Sequence, residues 1–255
     1  MINWVGLYTL FAKEVWRFLK VVTQTVLTPA VTALLYLLVF RTVLEDHVEV
    51  YPGVGYGAFL VPGLVVMTMI QNAFANSSSS LIQSKMNGNL VFVLVAPLSS
   101  LEFFLAFVGA AILRGLLVGV VVWAVALALV DLPPVHSVAW LLAFSVLGSA
   151  MLGVLGVIAG IWADKYDQLA AFQNFLILPL SFLSGVFYSI HDLPPFWERL
   201  SLFNPFFYMI DGVRHGFLGV SDVDPVLALA ITAGSTLAVS ALCLALLAKG
   251  YKIRH

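Results

Sequence analysis

Long apolar runs separated by short polar ones organise this chain. Val21 to Phe40 carries no charge and is long enough, at 1.5 Å per residue, to cross a hydrocarbon core about 30 Å thick. Similar runs at 56–75, 102–130, 137–162, 169–188 and 225–248 predict six transmembrane helices. The opening stretch, 1–20, has a different period. Trp4, Tyr8, Phe11, Val15 and Phe18 share one narrow helical face, with Lys13, Arg17 and Lys20 opposite, which predicts an amphipathic helix lying in the membrane interface. A plain extension of the first span is the other reading.

Two segments are neither span nor simple loop. After the second run, 77–98 is polar through Lys85-Met-Asn-Gly-Asn89, apolar for Leu90 to Ala96, and stopped by Pro97. Seven apolar residues are too few to cross, so short cytoplasmic and interfacial helices are expected there. Between the fifth and sixth runs, 189–219 is too charged to cross and too aromatic for a solvated loop. Pro194-Pro195 starts a helix, Asn204-Pro205 breaks it, and Gly216 to Gly219 ends it. Two half-helices dipping into the outer leaflet and returning would line or cap something, because backbone at that depth needs protein or water beside it. An inert aromatic belt is the alternative. The fold class is thus all-α integral membrane, one domain over 1–255.

Composition strengthens this reading. Apolar residues make up 62% and charged residues 10% of the chain, where a soluble domain has about 25% charged. The mean hydropathy is +1.04. Lys13, Arg17, Lys20, Lys85, Lys165, Lys249, Lys252 and Arg254 fall on one side of the six runs, against Arg41, Arg199 and Arg214 on the other. By the positive-inside rule the first side is cytoplasmic, with both termini there. An acidic loop with Glu45, Asp46 and Glu49 follows the first span, on the outer side. The opening residues lack a signal peptide's pattern. No basic surface is available for nucleic acid.

The chemistry that is missing also narrows the function. No lysine precedes a Ser or Thr, so the phosphate-binding G-x-x-x-x-G-K-[ST] loop is absent. The histidines have no metal-ligand spacing, and Cys243 is alone. Ser149 and Ser184 lack a histidine partner within a span, and no series of intramembrane carboxylates suggests proton coupling. Movement must be driven from outside the chain, or the role is passive. Arg114 is the one charge deep in a span, roughly 18 Å from the inner end, and should face a partner or water near Gln71, Asn72, Gln173 and Asn174. A structural hydrogen-bond hub and direct substrate contact both fit it. In the fourth run Ser145, Ser149, Gly153, Gly156 and Gly160 make a small-residue stripe that lets another helix come close.

Ser184-Gly-Val-Phe-Tyr-Ser-Ile190, Leu193-Pro-Pro-Phe-Trp197, Asn204-Pro205, Tyr208 and Gly212-Val-Arg214 resemble, in order and spacing, the outer hairpin of type-2 ATP-binding-cassette (ABC-2) export permeases. Asn87-Gly-Asn-Leu90 followed by Ala96-Pro97 is similar to that family's cytoplasmic element after the second span. The resemblance implies a homodimer in membrane lipid, resting on two copies of a separate ATPase. That ATPase would hold ATP and Mg, with no cofactor in this chain. It further implies a coupling helix at about Ser78 to Asn89, with Ser84, Lys85, Met86, Asn87 and Gly88 as contacts. Gln24, Thr28, Thr32, Gln173, Asn174 and Ser181 would line the path, and Pro194, Phe196, Trp197, Asn204, Pro205, Tyr208 and Arg214 would form an outer gate. One departure is that Val91-Phe92 stands where the family usually has an acidic residue. The function implied is ATP-driven export of an amphipathic or lipid-linked substrate across a bacterial plasma membrane. A membrane anchor that moves nothing, or an intramembrane enzyme, are the rivals.

Overall fold

The computed structural model describes residues 3–44 and 50–252. The acidic loop with Glu45, Asp46 and Glu49, and Arg254 of the basic tail, lie outside the described residues. The described chain is all-helical, with no strand beyond an isolated bridge between Tyr51 and Val54. In order it forms α1 (Trp4–Leu19), a π-helical stretch (Thr23–Leu27) running into α2 (Thr28–Leu44), α3 (Tyr56–Met86), α4 (Leu90–Val95), α5 (Ser100–Leu127) and α6 (Val138–Trp162). Then come α7 (Tyr166–Phe172), a second π-helical stretch (Gln173–Ile177), α8 (Leu178–Phe182), a 3-10 turn (Ile190–Asp192), α9 (Pro195–Leu202), α10 (Pro205–Leu218) and α11 (Pro225–Lys249). Five of these segments are long and apolar enough to cross a membrane: Thr23–Leu44, α3, α5, α6 and α11.

α3 is the axis of the bundle, buried along most of its length between α5, α6 and α10. The small-residue stripe of α6 makes this possible. A Cβ on Gly160 would meet the Leu81 side chain at 2.7 Å, one on Gly153 would meet Ala111 at 2.7 Å, and one on Gly156 would strike the Phe74 carbonyl. Lipid tails are as apolar as the side chains, so contact this close is what joins helices in a membrane. α10 uses the same device: Gly212 lies on the Phe144 ring and Gly216 on the Leu141 backbone, both of α6.

Three helices end elsewhere than the predicted runs do. The helix of the second run does not end near Ala75: α3 runs unbroken to Met86, and the segment 77–98 divides only at Asn87. The polar residues there remain helical because Ser78 and Ser79 return their hydroxyls to the carbonyls of Phe74 (2.8 Å) and Ala75 (2.5 Å), while α1 and α6 cover Asn76, Ser77, Ser78 and Ser80. The fifth run stops at Phe182 rather than Tyr188. Residues 166–182 form one helical rod of about 25 Å, and the chain then turns through Gly185 at φ +71°. The first span reaches Leu44, with Arg41 donating to the Leu129 carbonyl at the end of α5.

α1 divides its faces between bundle and surroundings. Leu10, Glu14 and Phe18 turn into the bundle, while Trp4, Tyr8 and Trp16 stay exposed. The start of α1 is tied to α5: the Asn3 amide donates to Glu102, which also closes a capping box with Ser99.

Candidate functional site

At one end of the bundle the residues expected to couple to a partner sit on the last turn of α3 and the bend after it. Ser84 is half-buried, and Met86, Asn87 and Gly88 are exposed. Gly88 adopts φ +71°, and nothing lies within 4 Å of where a Cβ would be, so glycine is required there by the backbone alone. Lys85 is directed inward. Its ammonium donates to the carbonyls of Ile161 and Ala163 (3.0 Å for the latter) and lies 3.7 Å from Asp164. It therefore caps the carbonyl end of α6, where a cation is favoured, and is not free for a partner. Lys252 joins the same cluster, donating to Trp162 O at 3.0 Å and Asp164 Oδ2 at 2.9 Å. The Lys252 hydrogen bond holds the Asp164 carboxyl below its ordinary range. Beside the bend, α4 exposes Val91, Phe92 and Val95, Phe92 to 77%.

A buried polar chain rises from this end, and its first member has no signal in the apolar pattern. Glu14 of α1 is fully buried, accepting from Ser80 Oγ at 2.8 Å and from Arg17 Nε and Lys13 Nζ, both at 3.1 Å. Arg17 continues to Asn76, reaching its backbone oxygen at 2.6 Å and its Oδ1 at 3.0 Å, and to Ser79 Oγ at 3.3 Å. One turn further along α3, Asn72 Oδ1 accepts from Arg114 Nη2 at 3.1 Å, so α1, α3 and α5 are linked by adjoining polar groups. Gln173 and Asn174, expected near Arg114, make no hydrogen bond with it among the described residues. Arg114 has the partner its depth demands, in Asn72.

The path-lining candidates divide. Gln24, Thr28 and Thr32 on the first rod, and Gln173 and Asn174 on the fifth, are exposed. Ser181 is not: it is fully buried and donates to Ile177 O at 2.7 Å, so it is withdrawn from that surface. A separate apolar cleft of about 350 Å³, bordered by Val65, Met69, Leu116, Trp123, Leu141 and Phe217, offers almost nothing polar to a hydrophilic molecule.

At the other end the hairpin separates into an exposed lip and a buried frame. α9 is the lip, with Pro194, Phe196 and Trp197 exposed. α10 is packed throughout. Asn204 caps it by accepting from Phe206 N at 3.0 Å and donates to Leu180 O at 2.7 Å; Pro205 follows at its first turn, and Tyr208 returns its hydroxyl to Leu202 O at 2.8 Å. Arg214, expected at a gate, is fully buried. Its guanidinium lies 4.1 Å from the Phe59 ring centroid, donates to Gly185 O at 2.5 Å and stands 3.8 Å from Asp211. Asn204, Tyr208 and Arg214 thus build the frame that holds the lip. Asp211 accepts from the amides of Asp222 (2.8 Å) and Val223 (3.1 Å), and Asp222 in turn accepts from Ser189 Oγ at 2.8 Å and from Tyr51. His191 closes the lip, with Nδ1 3.2 Å from Glu198 and Nε2 3.3 Å from the Asp222 carbonyl. Partial burial opposes its protonation, but those acceptors outweigh the burial and raise its pKa above the ordinary histidine value.

The fold is that of a polytopic helical membrane protein, with a short exposed bend at one end, a folded aromatic hairpin at the other and a polar strip along otherwise apolar rods. The chain belongs to the ABC-2 type transporter family, which its residues 6–218 match. It is 36% identical over 251 residues to the inner membrane transport permease YadH of Escherichia coli (strain K12), covering 98% of both chains. It is also similar to nodulation protein J of Rhizobium leguminosarum bv. trifolii, 26% identical over 88% of this chain and 84% of that one. It is thus a multi-pass inner-membrane transport subunit rather than an enzyme.

Proposed function

We propose that two copies of this chain form the membrane path of an exporter driven by two copies of a separate ATP-binding subunit, which holds ATP and Mg. One observation carries this reading. The rod 23–44, which is long and apolar enough to cross, and the shorter apolar rod 166–182 leave broad faces uncovered, and those faces bear Gln24, Thr28, Thr32, Gln173 and Asn174. Uncharged polar groups facing hydrocarbon are unfavourable, whereas a second copy and an internal path would cover them. In this reading the rod 166–182 is the sixth crossing, its short length completed by the turn to Tyr188, and both termini are cytoplasmic.

The bend Met86–Asn89 and the apolar face of α4 meet the ATPase, with Lys85 anchoring the bend to α6 rather than touching the partner. Movement delivered there reaches α1 and α5 through Glu14, Arg17, Asn76, Asn72 and Arg114. The lip α9 opens on the fixed frame of α10, and the cargo is amphipathic or lipid-linked. The reconstituted complex tests this. Gly88→Val should remove at least four-fifths of the ATPase activity that the permease confers on its partner, and unchanged stimulation would refute the coupling assignment.

A further inference from the structure

Four cations and one carboxylate meet where α1 packs on α3 and α5. Lys13, Arg17 and Lys20 follow one edge of α1, Arg114 comes from α5, and Glu14 is the only acidic residue in 1–44, 56–99 and 103–130. Glu14 is already shared by Lys13 and Arg17. Arg114 has a single hydrogen bond among the described residues, to the neutral Asn72, and its Nε finds no acceptor there. Arg17 is bound to Asn76, one turn of α3 from Asn72. The two guanidinium groups are therefore held by residues about 5 Å apart along that helix, where their charges repel. A neutral amide supplies an acceptor but no countercharge, and an uncompensated charge in so enclosed a place is costly.

The cluster lies at the edge of the hydrocarbon layer. α1 runs alongside α5, with Asn3 bonded to Glu102 and Gly109 against the Phe11 ring, which brings Arg114 level with the last turn of α1. The first rod long and apolar enough to cross begins just beyond it, at Thr23. The Arg17 side chain retains 23% exposure, Arg114 is half-buried and Lys20 is exposed, so the group opens to its surroundings. Those surroundings are apolar, because Trp16 beside Arg17 and Leu113 beside Arg114 are both exposed. Tryptophan is enriched in the headgroup layer, and basic pockets between helices on the cytoplasmic side suit anionic headgroups.

We propose that Arg114, Arg17 and Lys20 bind the phosphate of an anionic phospholipid in the leaflet at this end of the bundle, its acyl chains lying over Leu113 and Trp16. The planar guanidinium groups match paired phosphate oxygens, and the lipid's negative charge offsets the cation excess. A zwitterionic lipid brings its own cation and leaves that excess in place. The site is separate from the path and from the bend after α3, and it does not depend on the exporter reading.

The test exchanges the full-length permease into micelles holding equal amounts of phosphatidylglycerol and phosphatidylcholine, and native mass spectrometry measures how much of each it keeps. Phosphatidylglycerol should be retained at least about fivefold over phosphatidylcholine. Arg114→Gln should abolish that preference and Lys20→Gln should lower it about twofold, while Lys165→Gln, which removes an exposed charge elsewhere, should leave it unchanged. Equal retention by the native protein, or a native ratio in Arg114→Gln, would overturn the site. An equal loss in Lys165→Gln would mean attraction by net charge alone, and ready displacement of the lipid by inorganic phosphate would mean a site for a soluble anion; either would overturn the proposal. If Arg114→Gln does not fold, the decision falls to Lys20→Gln and to Arg114→Lys, which keeps the charge without the forked geometry. Native ratios in both would overturn the site.

Discussion

Replacing Glu14 by alanine should destabilise the fold more than any other single change in α1. The carboxylate is fully buried and loses three partners at once. The Lys13 contact joins it to a side chain that is 46% exposed, and such pairs contribute little. The Ser80 and Arg17 hydrogen bonds are more enclosed. Bonds to a charged group contribute about 1.5–3 kcal/mol each, and Arg17 keeps Asn76 as a partner, so the total loss is about 3 kcal/mol. In a domain of this size that corresponds to a fall of about 6–12 °C in the unfolding midpoint. The assay is thermal unfolding of the purified permease in mild detergent, followed by intrinsic fluorescence. Glu14→Gln, which keeps an acceptor for Ser80, should fall about half as far. Adding Ser80→Ala to Glu14→Ala should cost less than Ser80→Ala alone, since the two share one bond. A Glu14→Ala midpoint within about 1 °C of the native value would refute the claim that α1 is held by a buried carboxylate.

Three further outcomes follow from the geometry. Gly156→Leu must push against the Phe74 backbone, which cannot yield as a side chain can, and should destabilise by at least about 3 kcal/mol or abolish expression; an unfolding midpoint equal to the native one would contradict the α3–α6 packing. Arg214→Met should lower the midpoint by more than Arg199→Met, because Arg214 is buried and Arg199 exposed, and equal effects would argue against the frame. The folded state raises the pKa of His191, so its stabilising contribution is complete below the unfolded value of about 6.5 and is lost as pH rises through the folded one. The midpoint gap between native protein and His191→Gln should therefore be present at pH 5.5 and absent at pH 8.5, and a gap independent of pH would remove protonation from the account.

Much of this architecture is legible from hydrophobic periodicity, because a 20-residue apolar run has few alternatives in a bilayer. The all-helical class, the long spans 100–127, 138–162 and 225–249, and the glycine face of α6 follow from such patterns. What escaped has a physical reason in each case. Glu14 is one acidic residue between Lys13 and Arg17, and nothing in the pattern says it points inward. The continuation of α3 past Ala75 depends on a serine run bonding to its own helix, where serine elsewhere signals a loop. Lys85 reads as a free contact until the end of α6 comes beside it. Ser181 and Arg214 were expected to line a path and a gate, but their rotational positions, set by packing against neighbours, turn them inward. The π-helical turns required geometry, although Pro29 and Pro179 mark them.

The central claim is that this permease is half of a path and has no motor of its own. Native mass spectrometry of the complex purified from its own host in mild detergent tests it most directly. The account predicts two copies of this chain with two copies of one ATP-binding subunit, which separate only under harsher conditions. A single copy without any ATPase, across several mild detergents, would contradict it.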